Sequence, residues 1–211
     1  MAVGRYFQAM SASVLRGVLF WRKPPPLDTL ARLSAFCAQQ SAFVAQTNLY
    51  GYLRTRAGLQ HYNLFTDKAF MAVLRPARSR LVMLCLEDLI LHCAAAVFAA
   101  EMEADKCAKL AKSLYESAVA ELADDALPAT DSQAIQEAFF AKLPMVDWQA
   151  RLSPQAFEAS TQGLIDLAPI VDTLKHYDTE IVTNSMRFKW MGVRAELARR
   201  LDAPTLLAGL A

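Results

Sequence analysis

Residues 77–127 read ARSRLVMLCLEDLILHCAAAVFAAEMEADKCAKLAKSLYESAVAELADDAL and contain neither glycine nor proline. As one helix this stretch would run about 75 Å at 1.5 Å per residue. A compact domain of this chain's length is only about 35 Å across. Two helices are therefore expected, with a break near Glu103 to Asp105. The first, from Arg80 to Glu101, is apolar on every side, as a helix at the centre of a core must be. The second is amphipathic, with Leu110, Leu114, Ala118 and Leu122 along one face.

Working outward, residues 124–131 read as a loop, and Asp131 or Ser132 as the cap of a helix that Pro144 ends after Leu143. Ser153-Pro154 is a helix opening, a cap followed by proline in the first turn. That helix extends to about Leu167, and Pro169 begins or kinks the next segment. The last helix is expected from Asp178 to Leu201. Its residues Val182, Met186, Trp190, Val193, Leu197 and Leu201 fall within about 100° of one another, a core-facing stripe. Pro204 should end it.

Toward the N-terminus, Asp67 caps a short helix through Leu74 that Pro76 should stop. Asp28 is expected to cap a long helix that ends at Gly58. Leu30, Leu33, Phe36, Cys37, Phe43 and Val44 fall on one side of its wheel. Pro24-Pro25-Pro26 breaks helical continuity before it. The fold class expected is all-α: a single-domain bundle of about seven to nine helices around a central apolar helix. Residues 1–23 would form a basic amphipathic helix, residues 24–27 a proline spacer, and residues 28–211 the helical domain.

Seven glycines in 211 residues and 55% hydrophobic content suit helices with an ample core. The four cysteines, Cys37, Cys85, Cys93 and Cys107, match no disulfide framework or zinc module, so they read as small buried hydrophobes in a reducing compartment. No secretory signal is visible. Leu81 to Ala100 is the most apolar stretch, but Glu87 and Asp88 in its middle would each cost roughly 3 kcal/mol on membrane insertion. The location expected is the cytoplasm, with peripheral membrane attachment left open. Net charge is +1, yet the charges are sorted. Residues 1–27 contain no acid, and Asp67 is the only acid between Arg54 and Arg80. Residues 81–148 hold twelve acids against four lysines, a sorting that points to an oriented electrostatic surface.

No phosphate-cradling glycine loop, nucleophile elbow or paired-histidine zinc helix is present. Two local groupings carry polar chemistry. Asp88 and His92 stand four residues apart on the central helix, so they share a face, and both need partners if buried. Arg80 and Glu87 lie on a neighbouring face and are expected to pair. His176, Glu180, Asn184, Arg187 and Arg194 form a polar stripe over the last helix and its approach. Asp88, His92, His176 and Glu180 brought together would make a set able to hold a divalent metal between helices. The plainer reading is a structural network for the first pair and a solvated face for the second. No metal and no cofactor is expected.

The first 27 residues place Tyr6, Phe7, Met10, Val14, Val18 and Trp21 in one arc of a helical wheel, with Arg5, Arg16, Arg22 and Lys23 supplying unopposed positive charge. Such a helix suits a membrane interface beside anionic lipid, a targeting peptide, or docking on its own domain or a partner. The basic aromatic stretch Tyr50 to Tyr62 matches no nucleic-acid module, and nucleic acid is not an expected partner. The function expected is that of a non-enzymatic helical adaptor acting through a protein partner, a homo-oligomer or a membrane interface. An enzyme or metal carrier, and a binder of a small apolar ligand, are the alternatives.

Overall fold

Thr29, not Asp28, starts the first long helix. In the computed structural model, which describes residues 24–122 and 129–210, helix α1 spans Leu30–Ala57, and the Thr29 hydroxyl accepts the Arg32 N–H at 3.3 Å. The Asp28 carboxylate is taken up instead by the Arg32 guanidinium, 2.7 Å away. Gly58 stops the helix at φ 53°, a left-handed conformation that glycine adopts without Cβ strain. The helix expected over 1–23 and most of the loop expected over 124–131 lie outside the described residues.

A short helix α2 (His61–Thr66) leads to α3 (Lys68–Val97). Asp67 caps α3 as expected, accepting the Phe70 N–H at 2.7 Å. The stop expected at Pro76 does not occur, because α3 runs straight through it. A mid-helix proline costs about 3 kcal/mol. Leu74, Ala77 and Leu81 around it are buried, and each buried leucine returns about 1.5–3 kcal/mol. The residue whose carbonyl loses its partner, Ala72, lies on the exposed side.

From Leu81 to Val97 no residue of α3 is exposed. The helix is flanked by α1, by α4 (Ala104–Glu121) and by α6 (Glu158–Leu167). The break between α3 and α4 falls at 98–103, slightly before the expected place, in a turn closed by the Ala99 and Glu101 amides on the Ala96 and Phe98 carbonyls. Helix α5 (Ala129–Lys142) has already begun before Asp131 and Ser132, so neither caps it. Short 3-10 turns at Leu143–Met145, Ala150–Leu152 and Pro154–Phe157 then carry the chain to α6. Helix α7 (Asp172–Arg200) starts earlier than the expected Asp178, and α8 (Ala203–Ala208) comes after it with Pro204 in its first turn. The described residues thus form one all-α helical bundle.

The four cysteines are free and buried, and the Cys37 and Cys93 sulfurs touch at 3.6 Å between α1 and α3. Among the described residues no helix is long and apolar enough to cross a membrane. The end of the proline run is tied down. Leu27 is fully buried, donates its N–H to the Arg200 carbonyl at 2.8 Å, and accepts from Asp202 at 3.2 Å. Leu27→Ala is therefore expected to lower stability by about 2–5 kcal/mol in urea denaturation, the range for a large core truncation. A loss no larger than that of a surface substitution would show that this strap is dispensable.

Candidate functional site

Asp88 and His92 lie on the side of α3 that the 3-10 turns and α6 cover. Asp88 is 2% exposed, and its Oδ2 accepts the Ser160 backbone N–H at 2.8 Å. Ser160 stands in the first turn of α6, whose own N-cap residue, Phe157, makes no side-chain cap. The carboxylate thus caps a neighbouring helix from outside, where the unpaired amides and the positive end of the helix dipole favour negative charge. The Arg151 guanidinium is 3.8 Å from the other oxygen.

His92 anchors the connecting turns. Its Nδ1 is 2.7 Å from the Arg151 carbonyl, and since a carbonyl only accepts, Nδ1 carries the hydrogen. The ring packs on Phe157 with centroids 5.2 Å apart. Arg194, from α7, donates to the Leu152 carbonyl at 3.0 Å. Glu87 on the adjoining face does not pair with Arg80 as expected; it meets Lys142, and Arg80 reaches Asp131 at 3.3 Å. Both partners come from α5, so chain proximity within α3 gave way to contacts between helices.

His176 and Glu180 are exposed on α7, in surroundings opposite to the buried Asp88–His92 pair. Among the described residues no three His, Cys, Asp or Glu side chains cluster closely enough to share a metal ion. The four-residue metal set is therefore not assembled. Asn184 and Arg187 are likewise exposed, whereas Arg194 turns partly inward to hold Leu152.

Helix α7 is apolar on two sides. Val182, Met186, Trp190, Val193 and Leu197 are buried, and Trp190 stacks on Phe157 at 4.4 Å. Nearly opposite, about 170° round the wheel at 3.6 residues per turn, runs a second stripe: Leu174, Tyr177, Ile181, Phe188 and Met191. Tyr177, Ile181, Phe188 and Met191 are between 61% and 78% exposed. With Asn184 filling the gap, the spacing alternates three and four, the periodicity of a helix–helix seam. Neither a protein family, nor a curated protein, nor a solved structure matches this chain. Beside the outer stripe, a groove of about 670 Å³ lies between α7 and the start of α6, with Phe157 and Trp190 in its lining and Arg187 and Arg194 along it.

The sequence reading missed Ser160 and Arg151, because partners so far along the chain leave no local signal. It also missed the outer stripe, although the spacing from Leu174 to Met191 carried it. Glu180, Asn184 and Arg187 interleave with that stripe and made the face look merely polar.

Burial pushes the Asp88 carboxyl up to about 6, against the Ser160 N–H and the Arg151 charge. The folded protein then holds this proton more tightly than the unfolded chain. Stability from Asp88 is full below the ordinary aspartate range and is lost as pH rises through about 6, by about 3 kcal/mol when ionisation is complete. His92, lowered chiefly by burial, has the opposite sign: its contribution is present above the ordinary histidine range and lost as pH falls through the depressed value. Asp88→Asn keeps an oxygen for Ser160 and removes only the first effect. Relative to wild type it should gain stability between about pH 4 and pH 6 and level off above that in chemical denaturation. A difference that stays constant with pH would mean that Asp88 is solvated and its charge carries no burial penalty.

Proposed function

We propose that this protein is a non-enzymatic helical adaptor whose working surface is the outer face of α7. The observation that carries this reading is the exposed seam of Leu174, Tyr177, Ile181, Phe188 and Met191 on a helix already fixed to the core by its other side. A contiguous exposed apolar stripe of this kind marks an interaction surface, whereas scattered exposed apolar residues need no explanation. Its 3–4 spacing suits a partner helix better than an extended strand. Asp88 and His92, the best candidates for chemistry, are engaged in holding α6 and the connecting turns, which supports an adaptor over an enzyme. A protein partner in the cytoplasm is the primary reading of location and contact.

Site-specific photo-crosslinking tests it in cells expressing the full chain. A benzophenone amino acid in place of Phe188 should give a discrete adduct. The same residue in place of Val73, also exposed but on α3, should give none. No adduct at Phe188, or the same adducts at both positions, would remove α7 as the working surface.

The membrane arm of the reading rests on the first 23 residues, with Arg5, Tyr6, Phe7, Arg16, Trp21, Arg22 and Lys23 as contacts. Each cation near anionic lipid contributes about 1 kcal/mol, screened by salt. Full-length protein should co-sediment with phosphatidylserine vesicles at low salt and release as salt rises, and a chain beginning at Pro24 should not bind. Failure of the full chain to bind at low salt would leave the protein surface of α7 as the whole of the proposal.

A further inference from the structure

Resting on the reading of α7 as a docking face, we infer that its occupant is a second copy of this chain, paired antiparallel through α7. The outer stripe is self-complementary. Turned about a two-fold axis passing between Val182 and Thr183, Leu174 meets Met191 of the second copy, Tyr177 meets Phe188, and Ile181 meets Asn184. Every exposed apolar member of the seam from Leu174 to Met191 thus finds a counterpart, with an aromatic pair at each end of the middle section. The two Asn184 residues flank the two-fold axis, about 4.5 Å apart along the helix direction at 1.5 Å per residue, and their amides can bond to each other. A polar residue at one seam position is the usual device for fixing register.

The charges choose the orientation. Glu180 and Arg187 border the same side of the seam, each exposed and neither in an ion pair or hydrogen bond among the described residues. They stand two turns apart, too far to pair within one helix. In the antiparallel arrangement Glu180 of each copy faces Arg187 of the other, which makes two reciprocal opposite-charge contacts. In a parallel arrangement Glu180 would face Ser185 and Arg187 would face Gly192, and both charges would go unmet. The neighbouring helices leave the seam open: α1 meets α7 at Asp178 and Ser185, on the flank away from Glu180 and Arg187, and Phe157 meets it on the inner stripe at Trp190.

The chain's own first 23 residues fit this face less well by charge. They carry Arg5, Arg16, Arg22 and Lys23 without an acid, toward a helix whose exposed cations include Arg187 and Arg199. Like charges across a docking face suppress that pairing.

Sedimentation equilibrium on the full-length protein, from low to high micromolar concentration, tests the inference. Wild type should dimerise, and Ile181→Asp and Phe188→Asp should be monomeric with unchanged far-ultraviolet circular dichroism. Glu180→Arg or Arg187→Glu alone should raise the dimer dissociation constant about tenfold, and the two together should restore it to within about threefold. A wild type that stays monomeric overturns the second copy as occupant, as does a dimer that survives Ile181→Asp. So does a double charge reversal no better than the singles, or a chain starting at Pro24 that dimerises when the full chain does not. If wild type is monomeric while the Phe188 photo-adduct has another protein's mass, only the second copy is lost. If the adduct is absent as well, the docking face itself is lost.

Discussion

A carboxylate in a helical stretch with no exposed residue must be met by something, and here it is met by the first turn of another helix. The bond from the Ser160 amide to Asp88 fixes where α6 begins and how it lies on α3. It replaces the cap that Phe157 cannot supply. Further along α6 the two helices approach closely, and a Cβ on Gly163 would run into the Leu84 side chain. His92 does the same for the connecting turns by holding the Arg151 carbonyl. An unpaired charge at this depth would cost several kcal/mol, so the pairing is a condition of the fold rather than an embellishment.

The attitude of α7 depends on that arrangement. Its inner stripe seats on Phe157 through Trp190, and Asn48 of α1 accepts from Ser185 at 2.8 Å. Once those contacts are made, rotation about the α7 axis is fixed and Tyr177, Ile181, Phe188 and Met191 must face outward. A helix that is apolar on two opposite sides needs two partners. The core is one. The reading of this protein as an adaptor is the reading of that second, unmet side.

Much of the fold was legible because it is written locally. The glycine- and proline-free run at 77–127, the stop at Gly58, the cap at Asp67 and the stripe from Val182 to Leu197 each depend on residues within a few turns. Pro76 was misread because a local rule met a tertiary one, and burial of Leu74, Ala77 and Leu81 prevailed. The partners of Arg80, Glu87 and Asp88 come from residues 131, 142 and 160, and no spacing within α3 could announce them. The candidate metal set failed for the same reason: a shared residue type says nothing about shared space, and His176 and Glu180 are exposed while Asp88 and His92 are enclosed. The outer seam of α7 was visible in the spacing but hidden by its polar neighbours, which turn out to be its flanks.

The central claim is that the outer face of α7 works by pairing. Methyl resonances of Ile181 and Met191 in the full-length protein, tracked through a dilution series, report on it directly. Concentration-dependent shifts are expected at these two methyls, with the core methyls of Ile90 and Met186 unmoved. Shifts absent at every concentration, or spread equally through the core, would contradict it.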